Sequence, residues 1–108
     1  MAGRFASYEE FWPHYLREHA SPLTRRVHVA GTLLGVGLFL AGVFSGHPWL
    51  LLAGVVSGYL FAWGSHMLVE RNRPATFTHP LWSLGSDLRM AWLFLTGRLE
   101  AELRRAGL

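Results

Sequence analysis

A chain of 108 residues with 51% hydrophobic and only 16% charged positions is apolar for its size, since a soluble domain usually carries about a quarter charged residues. That length allows one domain. The lack of cysteine excludes disulfides, iron-sulfur clusters and thiolate zinc sites, leaving His, Asp and Glu as the strong metal ligands. The net charge of +3 comes from arginines alone, as there is no lysine. Several of them flank apolar runs instead of forming a basic face, which argues against nucleic-acid binding.

In chain order, Ser7-Tyr8-Glu9-Glu10 reads as a capping box that starts a short helix. Phe11, Tyr15 and His19 follow at four-residue spacing and share one face, while His14 lies off it and is read as solvated. Pro13 is expected to kink or restart this helix, and Ser21-Pro22 to end it. His19 then either serves the helix C-terminus electrostatically or is carried toward a site.

Residues 27–46 and 49–69 contain no Asp, Glu or Arg, and each run has the roughly 20 residues needed to cross a bilayer. The fold class is therefore all-α: a membrane hairpin of two transmembrane helices about the turn Ser45-Gly46-His47-Pro48, with an N-terminal helix and a C-terminal interfacial one. No secretory signal peptide is expected, because the first apolar run begins only at Val27 behind Arg25 and Arg26. Those arginines before the first span, with Arg71 and Arg73 after the second, predict both termini on the cytoplasmic side of a bacterial inner membrane.

Gly31, Gly35 and Gly42 line up with His28 on the first span, and Gly54, Gly58 and Ala62 with His66 on the second. Small-residue stripes let helix backbones approach where lipid gives no hydrophobic drive for association, so the two stripes are expected to face each other. His28 and His66 then point into the interface at one depth, as ligands or as hydrogen-bonding glue. His47 stays in the turn. Glu70, one turn after His66, can ligate the same metal, fix an imidazole tautomer, or pair with Arg71 or Arg73.

The proline-marked stretch 72–81 cannot be a continuous helix. A further helix is expected from Trp82 or Ser83, with Leu84, Leu88, Trp92, Leu95, Leu99 and Leu103 as one apolar stripe. Asp87 and Arg89 interrupt it too early for an ordinary third crossing, so it reads as interfacial or re-entrant. Asp87 either faces the histidines or pairs with Arg73 or Arg89 or caps the helix. Residues 100–108 read as a charged tail beyond a core of 5–99.

Taken together, Tyr15-Leu16-Arg17-Glu18-His19, Arg25-Arg26-Val27-His28-Val29-Ala30-Gly31, His66 with Glu70, Asn72-Arg73-Pro74-Ala75-Thr76-Phe77 and Pro80-Leu81-Trp82-Ser83-Leu84 resemble the Mpo-type membrane family, in its short bacterial-type branch. The resemblance implies an Fe(II)-dependent dioxygenase that shortens 2-hydroxy fatty acids by one carbon, as in fatty acid α-oxidation, with O₂ as co-substrate. It also implies His19, His28 and His66 as iron ligands with Glu70 nearby. Asp87 joins Glu70 as a candidate catalytic residue, and Arg73 or Arg89 is the candidate partner of the substrate carboxylate. Two other functions are compatible with the residues: a haem-binding electron carrier with His28 and His66 as axial ligands, and a non-catalytic hairpin scaffold. Free glycine faces also suggest a homo-oligomer.

Overall fold

The computed structural model describes residues 5–108. Helix α1 covers Tyr8–Arg17, α2 Pro22–Ser45, α3 Pro48–Ser65, α4 Pro80–Leu95 and α5 Leu99–Arg105. A π-helical turn, His66–Glu70, continues α3, and a 3₁₀ turn, Ala75–Phe77, precedes α4. Among the described residues there is no strand, so the chain is all-α as its pattern predicts.

Helix α1 starts where the capping box places it, with Ser7 Oγ accepting the Glu10 amide at 3.4 Å. It runs on through Pro13 instead of restarting there. Helix α2 begins at Pro22, ahead of the charge-free run, because Ser21 Oγ caps it by accepting the Leu23 amide at 3.2 Å and proline suits the first helical position. Arg25 and Arg26 thus lie inside the helix rather than before it. Its 24 residues extend about 36 Å at 1.5 Å per residue. The turn to α3 uses Gly46 in the left-handed region at φ 73, with its N–H bonded to the Gly42 carbonyl; Pro48 then opens α3.

The glycine stripes do face each other. A Cβ added to Gly35 would stand 2.7 Å from the Gly54 carbonyl oxygen, and one on Gly54 would stand 2.5 Å from that of Gly35. A Cβ on Gly31 would collide with the Phe61 side chain. Both helices are long and apolar enough to cross a membrane, yet only 33% and 22% of their most apolar windows are buried. Phe44, Leu52 and Leu60 point outward, whereas the core helix of a soluble protein would hide such side chains.

Helices α1, α4 and α5 form a cap at the histidine end of this hairpin. Its core is Phe11, Trp12, Tyr15, Leu16, Met90, Leu99 and Leu103. Hydrogen bonds between its helices knit it, among them Tyr8 Oη at 2.8 Å from Ser86 Oγ and Trp12 Nε1 donating to Glu102 Oε1 at 2.8 Å. Two sequence expectations change here. The stripe from Leu84 to Leu103 is not one helix, because the chain breaks at Thr96–Gly97, with Gly97 left-handed at φ 72. Beyond that break the expected charged tail is α5, whose Leu103 is buried.

Helix α4 starts at Pro80, slightly before the expected Trp82 or Ser83, and its polarity is inverted relative to a soluble helix. Leu84, Leu88, Trp92 and Leu95 are exposed, while Ser83, Ser86 and Asp87 are buried with Met90 and Ala91. A lipid-facing helix is expected to look like this, with polar groups turned toward protein.

Candidate metal centre

Three histidines from three segments meet where the cap closes on the hairpin. His19 follows the end of α1, His28 lies early in α2, and His66 begins the π turn. Each is no more than 2% exposed. Their ring centroids are 4.8 Å (His19–His28), 4.4 Å (His19–His66) and 5.7 Å (His28–His66) apart. One potential ligating nitrogen from each lies within 4.8 Å of the other two.

The second nitrogen of each ring is engaged by oxygen. His19 Nδ1 lies 2.6 Å from the Tyr15 carbonyl, one turn back on α1. His66 Nδ1 lies 2.8 Å from Asn72 Oδ1, and His28 Nε2 lies 3.3 Å from Asp87 Oδ1. With an oxygen acceptor opposite one nitrogen, a neutral imidazole carries its proton there and presents a lone pair on the other. Metal-ligating histidines are oriented in this way. In keeping with that, His19 Nε2 and His28 Nδ1 are fully buried and have no hydrogen-bond partner. An orphaned buried nitrogen is costly unless something binds it. Thr24 Oγ1, one turn before His28, is buried without a partner as well.

Local structure explains how the segments converge. The π turn makes Arg71 adopt the left-handed region at φ 58 and brings the Asn72 amide back onto the His66 carbonyl at 3.0 Å. Asn72 therefore reaches His66 with its Oδ1 and donates through Nδ2 to the Glu18 carbonyl at 3.2 Å. Arg25 holds the same loop by donating to the carbonyls of His19 and Ala20 at 2.7 and 2.9 Å. Glu70 accepts the Ser21 amide at 2.7 Å, at the positive end of α2.

Burial favours a neutral His19 and a proton-rich Asp87 carboxyl. Burial, reinforced by His28 and His66, holds His19 well below its usual range. Burial pushes the Asp87 carboxyl up to about 7, against the opposing pull of the Tyr15 hydroxyl, which donates to Asp87 Oδ1 at 2.6 Å. Burial and the nearby Asp87 push the Tyr15 phenol well above its ordinary value, so it stays protonated and donates.

The structure thus brings together His19, His28, His66 and Asp87, but not every residue the sequence singled out. Glu70 is outside the converging set and ties the α1–α2 loop to the π turn instead. Arg89 sits 4.0 Å over the Trp12 ring and 3.6 Å from Glu102, within the cap. Arg73 is exposed beside Phe77. His14, read as solvated, is half-buried and pairs with Glu18 at 3.3 Å. His47 lies 2.9 Å from Ser45 within the turn. The Tyr15 carbonyl and hydroxyl and Asn72 were not foreseen as supports; the four-residue step from Tyr15 to His19 was the one legible signal.

The donor set suits a transition metal that accepts imidazole, iron among them. The position of His19 against both other rings removes the space that a macrocycle between His28 and His66 would need. No curated protein and no solved structure matches the chain significantly. The family model described as 2-hydroxy-palmitic acid dioxygenase Mpo1-like matches residues 5–99, and the chain belongs to that family.

Proposed function

We propose that this protein is an Fe(II)-dependent oxygenase, integral to the membrane through α2 and α3, that shortens 2-hydroxy fatty acids by one carbon. The observation that carries the reading is the trio of buried histidines, each with one nitrogen tied to an oxygen and the other turned inward. Family membership supplies the reaction class. The overall change balances with one O₂: the carboxyl leaves as CO₂, carbon 2 becomes the new carboxyl, and one water forms.

His19, His28 and His66 hold the metal in this reading. Bound ferrous iron supplies the one-electron chemistry that lets triplet O₂ react with a closed-shell acid. The protein's own contribution is orientation and exclusion of water. Tyr15, Asp87 and Asn72 fix the three rings, and Asp87 can hold a proton beside His28 at neutral pH. The buried Tyr15 ring covers the site on one side, with its centroid 4.3 Å from that of His19 and 6.4 Å from that of His28. The arginine pattern favours both termini on the cytoplasmic side, which sets the site at the headgroup level where an amphiphile presents its polar end.

Anaerobically purified protein is expected to hold close to one non-haem iron per chain and to consume O₂ with 2-hydroxypalmitate. His19→Ala, His28→Ala and His66→Ala are each expected to lose the metal by elemental analysis. Equal metal in wild type and all three variants overturns the ligand assignment. Iron-loaded wild type that turns over no 2-hydroxyacyl chain overturns the reaction.

A further inference from the structure

We propose that a groove along α2, α3 and α4 holds the acyl chain of the substrate and sets which chain lengths are taken. This inference rests on the oxygenase reading above and assigns that site a second, apolar half. The groove has a volume of about 440 Å³.

Its two ends differ in chemistry. At one end it is lined by Asp87 and Tyr59, and Asp87 is the carboxyl that stands 3.3 Å from His28. A molecule in the groove therefore reaches the group that contacts the candidate ligand. Away from that end the walls are Val36, Phe39 and Val55, with no polar side chain. From Thr32 to Leu40 the α2 wall extends about 12 Å at 1.5 Å per residue. A polar end at the carboxyl beside His28, continuing into an apolar run, matches a fatty acid with its head turned toward the histidines.

The floor is formed by Gly35, Gly54 and Gly58. Gly35 and Gly54 are required by helix approach, since a Cβ on either would strike backbone. Gly58 is not. A Cβ there would meet only the Gly31 carbonyl oxygen at 3.7 Å, an ordinary contact. Packing would accept alanine at that position, so the bare backbone keeps the groove deep where it nears Tyr59. The walls are open to lipid, as Val36, Phe39 and Val55 are each more than a third exposed. An acyl chain dissolved in the bilayer can enter sideways without unfolding anything.

The test uses the full protein in nanodiscs and a 2-hydroxy fatty acid carrying a photoreactive diazirine at its terminal carbon. Labelling is expected on Val36, Phe39 or Val55, displaced by 2-hydroxypalmitate. Val55→Trp is expected to shift binding toward shorter chains, by about fourfold for each methylene shut out, with metal content retained as evidence of an intact fold. Gly37→Leu adds its side chain where nothing lies within 4 Å and is expected to change nothing. Labelling of the outer helix faces, cross-links between copies, or displacement by phospholipid as effective as by the 2-hydroxy acid overturns the groove assignment. Groove labelling as expected, with no turnover of any chain length, leaves the groove standing and overturns the oxygenase reading instead.

Discussion

In the hairpin, α2 and α3 touch through backbone, with Gly35 and Gly54 so close that neither has room for a methyl group. In the cap, α1, α4 and α5 touch through large side chains, with Phe11, Tyr15, Leu16 and Met90 almost wholly buried. The contrast fits the proposed placement of α2 and α3 in a membrane. Lipid offers no hydrophobic gain for bringing two apolar helices together, so close van der Waals contact must supply the association. The inner face of the cap, where Phe11, Tyr15, Leu16 and Met90 meet, is packed through large side chains as a soluble core is, while α4 leaves its apolar stripe on the outside. The histidines sit at the seam: His28 and His66 come from the backbone-packed half, and His19 and the Asp87 contact from the side-chain-packed half. Their placement depends on both kinds of packing at once.

Substitutions can break the two halves separately. The largest effect is expected from Gly54→Leu, which sets a side chain against the Gly35 carbonyl and the Phe39 backbone. Neither can yield, and the variant is expected to yield no monodisperse protein in detergent. Recovery of folded Gly54→Leu would show that the stripes do not hold the hairpin. Next comes Phe11→Ala in the cap, expected to cost about 3–5 kcal/mol in thermal unfolding, with faster amide exchange in α1 while α2 and α3 stay protected. Equal loss of protection in the hairpin would show that the two halves are one cooperative unit.

At the seam, Asn72→Ala and Asp87→Asn are expected to weaken metal binding by about 10–100-fold, measured by competition with a chelator, while the helix content by circular dichroism is kept. Unchanged affinity would show that these oxygens do not orient the rings. The smallest effect is expected for Ser7→Ala, which removes the α1 cap at about 1 kcal/mol. A change in unfolding with no change in metal affinity would place that cap outside the site.

The hairpin was the legible part of the sequence. Charge-free runs mark its length, glycine spacing marks its facing sides, and the two histidines in line with those glycines mark its functional end. His19 was legible too, through its register with Phe11 and Tyr15. Asn72 was not, because its approach to His66 depends on a π turn and on Arg71 in the left-handed region, neither of which helical spacing reveals. Arg89 is a candidate partner of the substrate carboxylate on its charge alone, but two residues from Asp87 along a helix is roughly half a turn, and its side chain goes to Trp12 and Glu102. The apolar stripe of α4 was read correctly as a stripe. Which side of it faced protein could not be read from periodicity, because an apolar face turns inward in water and outward in lipid.

The partners of α1 have a consequence for how the molecule comes into being. Tyr8 bonds Ser86, Trp12 bonds Glu102, and Tyr15 bonds Asp87, so these three side chains of α1 find their hydrogen-bond partners in α4 and α5. Synthesis runs from the N-terminus, and the hairpin can insert and close before α4 exists. During that interval Phe11 and Trp12 of α1 lack their α4 and α5 neighbours, and Asp87 has not been made. His19 and His66 can already be held by Tyr15 and Asn72, but His28 gains its Asp87 contact only when α4 arrives, which makes the full set of ring contacts a late product of assembly.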